Sequence, residues 1–387
     1  VKREKSIHEK LKPTVDTLTV NCYRDASIIN KLLSTENWVL VSVKKDEADY
    51  FHGYVRRNYK TNAKTQIEKF KLECVDEGEL LQNKINDTFA PEGYKVSDTS
   101  DTSNSIVHTL LIDYYGLDSS KVKPGDINYT IDYVVVIQRE KTYWEILKDI
   151  LYEHGYVFYF DESGFFRTLD LFPTDLTTSK QFDNTNMVDE LIIEKRREHK
   201  EGVEVKWRRH ETILDTVIFN DTTGGDDSTP CNITLSPGEY YPEGSGSSNV
   251  YSEYKVNDRD VIVASNIDWS LISHTSEITI TTQMNYYKKA LLVLYNNSSS
   301  DGTISRLKIK GDAVVEGDFV ITKYYNVSGT ENIDEIKADW IQSESVADRL
   351  ASGLADWYKY SDFTYKIKSK TKYSVGDIVT IDENLYG

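Results

Sequence analysis

TYWEILKDILYEHGYVFYFDESGFFRTLDL, residues 142 to 171, is the stretch from which the rest of this chain can be read. Thr142 is placed to accept a hydrogen bond as N-cap, and Glu145, three residues on, can reach back as the second half of a capping box. Tyr143, Leu147, Ile150, Leu151 and His154 then recur at helical spacing, with Glu145, Lys148, Asp149 and Glu153 mostly on the other side. Gly155 stands where a left-handed C-cap is wanted. YVFYF (156–160), the turn Asp161-Glu162-Ser163-Gly164 and FFRTLDL (165–171) form an aromatic-rich hairpin with its glycine in the turn. A capped helix thus feeds directly into a hairpin, and its apolar face needs a sheet to lie on.

Working upstream, residues 13–75 read as a compact β-unit. LTVNCY (18–23), WVLVSVK (38–44), YFHGYVRRNY (50–59) and QIEKFKLECVD (66–76) are strand-like, with one or two helical turns over 27–34. Gly53, inside a strand, predicts a bulge or bend. Four strands and a short helix fit a small barrel or closed sheet. From Gly78 the period changes. Leu81, Ile85 and Phe89 mark a helix that stops before Pro91, and Val96 ends a short strand. SDTSDTSNS (97–105) supplies an N-cap at Ser103 or Asn104 for a helix carrying Ile106, Val107, Leu110, Leu111 and Tyr114, ended by Gly116. IDYVVVIQ (131–138) is a further strand.

Downstream, VDELIIEKRR (188–197) and EGVEVKWRRHETI (201–213) return to strands, the latter with Val203, Val205 and Trp207 on one face. The turn-rich stretch 220–249 reads as a long surface excursion. Strands resume at DVIVAS (260–265), EITITTQM (277–284), KKALLVLY (288–295), ISRLKIKG (304–311), DFVITKYY (318–325) and IKADWIQS (336–343). SVADRLASGLADWYKY (345–360) is a helix with Ser345 as cap, Asp348 three residues on, and Val346, Leu350 and Leu354 as its apolar line. FTYKIKSK and YSVGDIVTIDE (373–383) form a final strand pair, with Gly376-Asp377 turning into the strand 378–381.

A length of 387 residues calls for two to four units, since one core would be unusually large. The 27 tyrosines suit strands and half-buried surfaces, where a ring packs and a hydroxyl stays wet. No apolar run is long enough to span a membrane, and the charged N-terminus lacks the apolar centre of a signal peptide. Cys22, Cys74 and Cys231 are few, odd in number and far apart, which is neither a disulfide framework nor a zinc pattern. They read as small buried hydrophobes. A DNA-gripping protein normally shows a basic patch, whereas here the net charge is −17 and the basic patches, Arg56-Arg57 and Lys195-Arg196-Arg197, are short. That charge serves solubility, or a surface that lets nucleic acid slide past.

The residues offer no catalytic, cofactor or metal site. The seven histidines, at 8, 52, 108, 154, 199, 210 and 274, never fall at metal-ligand spacing. His154 reads as a cation at a helix C-terminus. The acidic pairs Asp46-Glu47, Asp161-Glu162, Asp226-Asp227 and Asp382-Glu383 all sit in turn-like contexts, where solvated roles outweigh a glycosidase pair. Asp221, Asp226 and Asp227 around Gly224-Gly225 match no EF-hand spacing for calcium. No phosphate loop, nucleophile elbow or Cys/His pairing is present. Residue chemistry alone therefore ends at a soluble, modular, mainly β, structural protein of the α+β class.

Three segments sharpen this. DTLTVNCY with YFHGYVRR, the helix-hairpin segment TYWEILKDILYEHGYVFYFDESGFFRTLDL, and ADRLASGLADWYKY followed by YSVGDIVTID resemble, in that order, the opening strands, the helix with its "G-Y-x-F-x-x-D-x-x-G" hairpin, and the closing helix and "G-D-x-V" strand of phage tail hub proteins. That family also has relatives in contractile injection and secretion machines. The resemblance implies two tube-type β-barrels, the first over residues 1–77 and the second from 181–218 with 303–387. It implies an α+β insert over 78–180 and leaves 219–302 as a further β-rich insertion. It also implies a homotrimeric ring in the virion tail, assembled in the host cytoplasm. Its neighbours would be tail-tube and distal tail proteins and a spike or tail lysin, and DNA would pass through its lumen without specific binding. No enzymatic role follows. Two other classes remain: a secreted or surface β-rich binding module using exposed Tyr and Trp on carbohydrate, marked by an aromatic-lined groove, and a cell-wall hydrolase accompanying a tail.

Overall fold

The computed structural model describes residues 2–4, 13, 15, 17–23, 39–45, 47–56, 69–85, 93–132, 141–174, 180–182, 192–195, 200–225, 231–246, 249–286, 288–325, 332–360, 363–366, 377 and 379–381. The fold is mainly β and divides into two compact units. One comprises Val1–Asp132, Val136–Trp207 and Ile321–Gly387; the other comprises Tyr133–Val135 and Arg208–Val320. Two long strands, Gly202–Asp221 and Gly302–Tyr325, contribute residues to both.

The first unit opens with an antiparallel sheet ordered Lys2–Glu4, Thr17–Tyr23, Lys69–Val75, Ala48–Val55, Leu40–Lys45. Strand alternation places Leu18, Phe51, Val55, Leu72 and Cys74 in one apolar cluster. The described strands form an open sheet rather than a closed barrel. Gly53 is not at a bulge; the register shift lies at Val43/Lys44. Gly53 is instead where strands crowd: a Cβ there would stand 2.1 Å from the Val75 carbonyl oxygen and 2.8 Å from the Phe51 ring.

The α+β part of this unit follows. Asp76 caps a 3₁₀ turn, Glu77–Gln82, by accepting from Gly78 N–H at 2.9 Å. A hairpin pairs Tyr94–Ser97 with Ile127–Ile131. Between its strands the next helical segment is capped by Ser105 rather than Ser103 or Asn104, and it makes one α-turn, Ile106–His108, before widening to a π-helical stretch, Thr109–Tyr114. The SDTS run is ordered by Asp98, whose carboxylate accepts from Ser100 N–H, Asp101 N–H and Lys95 Nζ. Gly116 closes the segment at φ +84°.

The helix expected from residue 142 runs over Tyr143–Glu153 with both halves of the capping box formed. Gly155 follows at φ +82°. Ile146, Leu147, Ile150 and Leu151 are buried, each contributing about 1.5–3 kcal/mol of transfer free energy. The strands Tyr156–Phe160 and Phe166–Asp170 pair in the register that brings Phe160 opposite Phe166, and Phe158 stacks on Phe166 with centroids 5.3 Å apart.

The closing segments also differ from expectation. The helix begins at Glu344, so Ser345 lies inside it, and the strand before it lies upstream of the expected 336–343, over Ile333–Lys337. Among the described residues, the final strands pair with other segments rather than with each other. Phe363–Lys366 runs antiparallel to Ile192–Lys195, and Val379–Ile381 runs parallel to Lys180–Phe182. Ile333–Lys337 lies parallel to Gly202–Lys206. Distant segments thus supply the hydrogen-bond partners that chain neighbours were expected to give.

The second unit is a two-sheet β-sandwich. One sheet contains Arg259–Asp268, Ile272–His274 and the long strands; the other is built on the hairpin Ile278–Tyr286 with Lys289–Asn296. Inward residues of both sheets meet in two clusters, one around Ile218, Val261, Ala290 and Ile309, the other around Leu235, Leu292, Leu294 and Ile304. ISRLKIKG and DFVITKYY are one continuous strand, Gly302–Tyr325. The turn-rich stretch 220–249 is more than an excursion. Ile233–Leu235 pairs with Gly302–Ile304, Tyr240–Tyr241 pairs with Leu294–Tyr295, and Cys231 is buried in the core.

Candidate functional site

With no catalytic side chain named by the sequence, the candidate site is a surface for assembly and the braces that hold it. Both are in the first unit. The hairpin turn is set by Asp161, whose Oδ1 accepts from Ser163 N–H and Phe165 N–H, each at 3.0 Å, while Oδ2 accepts from Arg167 Nε at 3.0 Å. Gly164, at φ +80°, brings this turn onto the His52 ring; a Cβ there would meet Nδ1 at 2.4 Å. Ser163 Oγ donates to Asp49 Oδ2 at 2.8 Å. The hairpin is thereby fixed to the strand Ala48–Val55.

Beneath that contact lies Glu77, whose side chain is 3% exposed. It accepts from Lys121 Nζ at 3.1 Å and from the Tyr54 hydroxyl at 3.2 Å. Burial and the Glu77 charge push the Tyr54 phenol far up, and burial, then Glu77, lifts Tyr115 to about 12. Burial, then the Lys121 charge, lowers His52, whose Nδ1 is 3.8 Å from Glu77 Oε1. Lys121 Nζ and the Tyr54 hydroxyl together tie the Glu77 carboxylate to the sheet as a brace.

A second brace joins the helix Tyr143–Glu153 to the C-terminal helix. Glu153, expected on the polar side, is buried, and its Oε2 accepts from Trp340 N–H at 2.5 Å. Burial raises its pKa to about 8 against the pull of the Trp340 and Asp339 N–H groups. His154 is not the expected cation. It is buried, its Nδ1 donates to Ile150 O at 2.7 Å, and burial holds its pKa down to about 4, so the ring is neutral. The cation at this helix end is Arg349, which donates to His154 O at 3.1 Å and to Asp170 Oδ1 at 2.6 Å and lies over the Tyr156 and Phe172 rings.

These braces present a sheet edge. Leu40–Lys45 hydrogen-bonds to Ala48–Val55 on one side and, among the described strands, to none on the other. Leu40 is 55% exposed. A strand edge with unpaired backbone groups and an apolar residue beside it can accept a strand of another chain.

The remaining residues weighed in the sequence separate cleanly. His108 Nδ1 lies 2.7 Å from Ser105 Oγ, and His274 Nδ1 donates to Thr275 O; His8 and His199 lie outside the described residues. Cys74 and Cys231 are buried, and the Cys22 side chain is outside the described set. Asp221 accepts from Thr223 N–H and the Tyr241 hydroxyl, whereas Asp226, Asp227, Asp46, Asp382 and Glu383 are outside it. Among the described residues no three metal-ligating side chains converge, and no helix is long and apolar enough to cross a membrane. Glu77, Glu153 and Arg349 were missed because their roles depend on partners 23 to 195 residues away.

No family model and no curated protein matches the chain. Among solved structures it is similar to a tail protein from Neisseria meningitidis MC58, at 13% identity and a TM-score of 0.36, over 49% of this chain and 55% of that one. It is likewise similar to the 43 kDa tail protein of prophage MuSo2 from Shewanella oneidensis, at 12% identity and a TM-score of 0.33, over 49% and 56%. The chain thus spans about half the length of these two structures, one a tail protein and the other a prophage tail protein.

Proposed function

We propose that the chain is a structural component of a phage tail, of the hub type: copies meet side by side, in a trimer, to form a ring that joins the tail tube to the tip or spike and surrounds a DNA channel. The observation that carries this reading is the order of the three segments that resemble tail hubs, the middle one being a capped helix laid on an aromatic hairpin. The open edge at Leu40–Lys45 supports it, because an unclosed sheet is completed by a neighbour's strand. In the proposed ring, residues 1–77 and 181–218 with 303–387 form the two tube-type barrels, and 78–180 and 219–302 lie outside it. The net charge of −17 suits a lumen that lets DNA pass without adhering. The role is assembly, with no reaction assigned.

The test is mass in solution. Native mass spectrometry of the 44.5 kDa chain at micromolar concentration is expected to give a species of three times that mass. A monomer at all concentrations, in the presence of its tail-tube partner as well as alone, overturns the ring. In a gel-shift assay at low salt the protein should leave duplex DNA unshifted.

A further inference from the structure

The second unit carries an open cleft of about 680 Å³ that the tail reading does not use. Its lining includes Leu235, Glu239, Tyr240, Tyr241, Glu243 and Gly246. The volume is in the range of small-ligand sites. Tyr240 is 37% exposed, yet its ring is fixed by stacking on Tyr295, with centroids 4.4 Å apart and planes 27° from parallel. Tyr241 is half-buried and its hydroxyl donates to Asp221, so it too is immobilised. The loop returns close to the Tyr240 ring through Gly246, where a Cβ would stand 2.6 Å from the ring carbons.

The polar groups narrow the ligand. Glu239 is held by Ser236 N–H on Oε2, at 2.7 Å, and Glu243 is exposed with no hydrogen-bond partner among the described residues. The hydroxyl of Ser245, in the same loop, is buried without a partner among them. Among the described residues no Lys, Arg or His lines the cleft. Two carboxylates without a balancing cation repel phosphates, sulfates and acidic sugars. An apolar ligand would strip water from acceptors and return no donor. A molecule with an apolar C–H face and many hydroxyl donors satisfies both halves of the lining.

We propose that this cleft binds an uncharged oligosaccharide, a sugar ring packing against Tyr240 and hydroxyls donating to Glu239 and Glu243. This inference does not rest on the ring proposal, and its test reads a different quantity.

The full chain is applied to an array of immobilised uncharged and acidic glycans, and maltohexaose, triacetylchitotriose and 3′-sialyllactose are titrated by calorimetry. Saturable binding of an uncharged glycan is expected, with none for sialyllactose. Tyr240→Ala should weaken that binding about tenfold or more. Because Tyr240 also packs on Tyr295, Glu243→Gln on an exposed side chain is the second arm. It should weaken binding about threefold with an unchanged melting temperature. Capture of no uncharged glycan overturns the proposal, as does binding that both variants leave intact or a preference for the acidic sugar. Calcium chloride alone binding with Glu243 dependence overturns it too, by showing a cation site instead.

Discussion

The two units of this chain solve the burial problem with different chemistry. Among the described residues of the sandwich Arg208–Val320 the buried ones are apolar but for Ser252 and Asn296, and Asn296 is a neutral amide, donating to Leu235 O and Ser300 O and accepting from Ser298 N–H. In the other unit Asp76, Glu77, Asp98, His108, Glu153 and His154 are all buried. The difference follows from architecture. Two sheets facing each other present alternate side chains to one interior and keep backbone groups paired within each sheet. Short helices, 3₁₀ turns and loops leave backbone N–H groups at their ends unpaired, and carboxylates are the acceptors that reach them. Asp76 to Gly78 N–H and Glu153 to Trp340 N–H are two such cases.

The contrast predicts how each unit responds to damage, and the largest effects should be equal. Leu147→Ala in the helix and Leu292→Ala in the sandwich each remove a fully buried side chain and should cost about 3 kcal/mol in urea unfolding. Both costs should be the same at pH 6.5 and pH 8. A pH-dependent cost for Leu292→Ala would break the comparison.

The next effect separates the units. Glu153 holds its proton to about pH 8 when folded, well above its ordinary value of 4.5, so it stabilises the fold at low pH and that stability is lost as pH rises through 8. His154, lowered from 6.5 to about 4, contributes stability above 6.5 that is lost as pH falls through 4. Asp339 and Asp149 face Glu153, and Arg349 faces His154, each reinforcing the shift in its own group. The two slopes oppose each other between about 4.5 and 6.5, leaving the Glu153 loss unopposed from 6.5 to 8, worth about 2 kcal/mol in all. Glu153→Gln should remove that decline while leaving the His154 rise. Urea midpoints of variant and parent that stay parallel from pH 6.5 to 8 would sink the assignment.

The smallest effect tests local rather than tertiary chemistry. Thr142→Ala deletes the cap acceptor for Glu145 N–H and should cost about 1 kcal/mol. Faster amide exchange in the first turn of Tyr143–Glu153, with the sandwich unchanged, is the expected readout.

What the sequence made legible is local. The capping box at Thr142 and Glu145, the left-handed Gly155 and Gly164, and the aromatic hairpin are all specified within four residues of themselves. So is the apolar line Leu147, Ile150, Leu151. What it hid is tertiary. Glu153 follows the polar pattern of its helix, yet it is buried by a loop 187 residues later. His154 carries the composition of a helix-end cation, but a fully buried imidazole is cheaper neutral. Gly53 reads as a bend because nothing in its strand announces the Val75 carbonyl across it. In the sandwich, Tyr240–Tyr241 is too short a strand to leave a periodic signal, although it lines the cleft. The strand Leu40–Lys45 was legible as a strand, and its position at the rim of the described sheet was not.

The Glu153–Trp340 bond has a consequence in time. The acceptor leaves the ribosome 187 residues before its donor, which at about 5–20 residues per second is a delay of about 10–40 s. For that interval the nascent helix carries a carboxylate facing a surface that has not yet been translated. Docking of the helix Glu344–Tyr360 is therefore a late event in biogenesis, possible only once the segment around Trp340 has emerged.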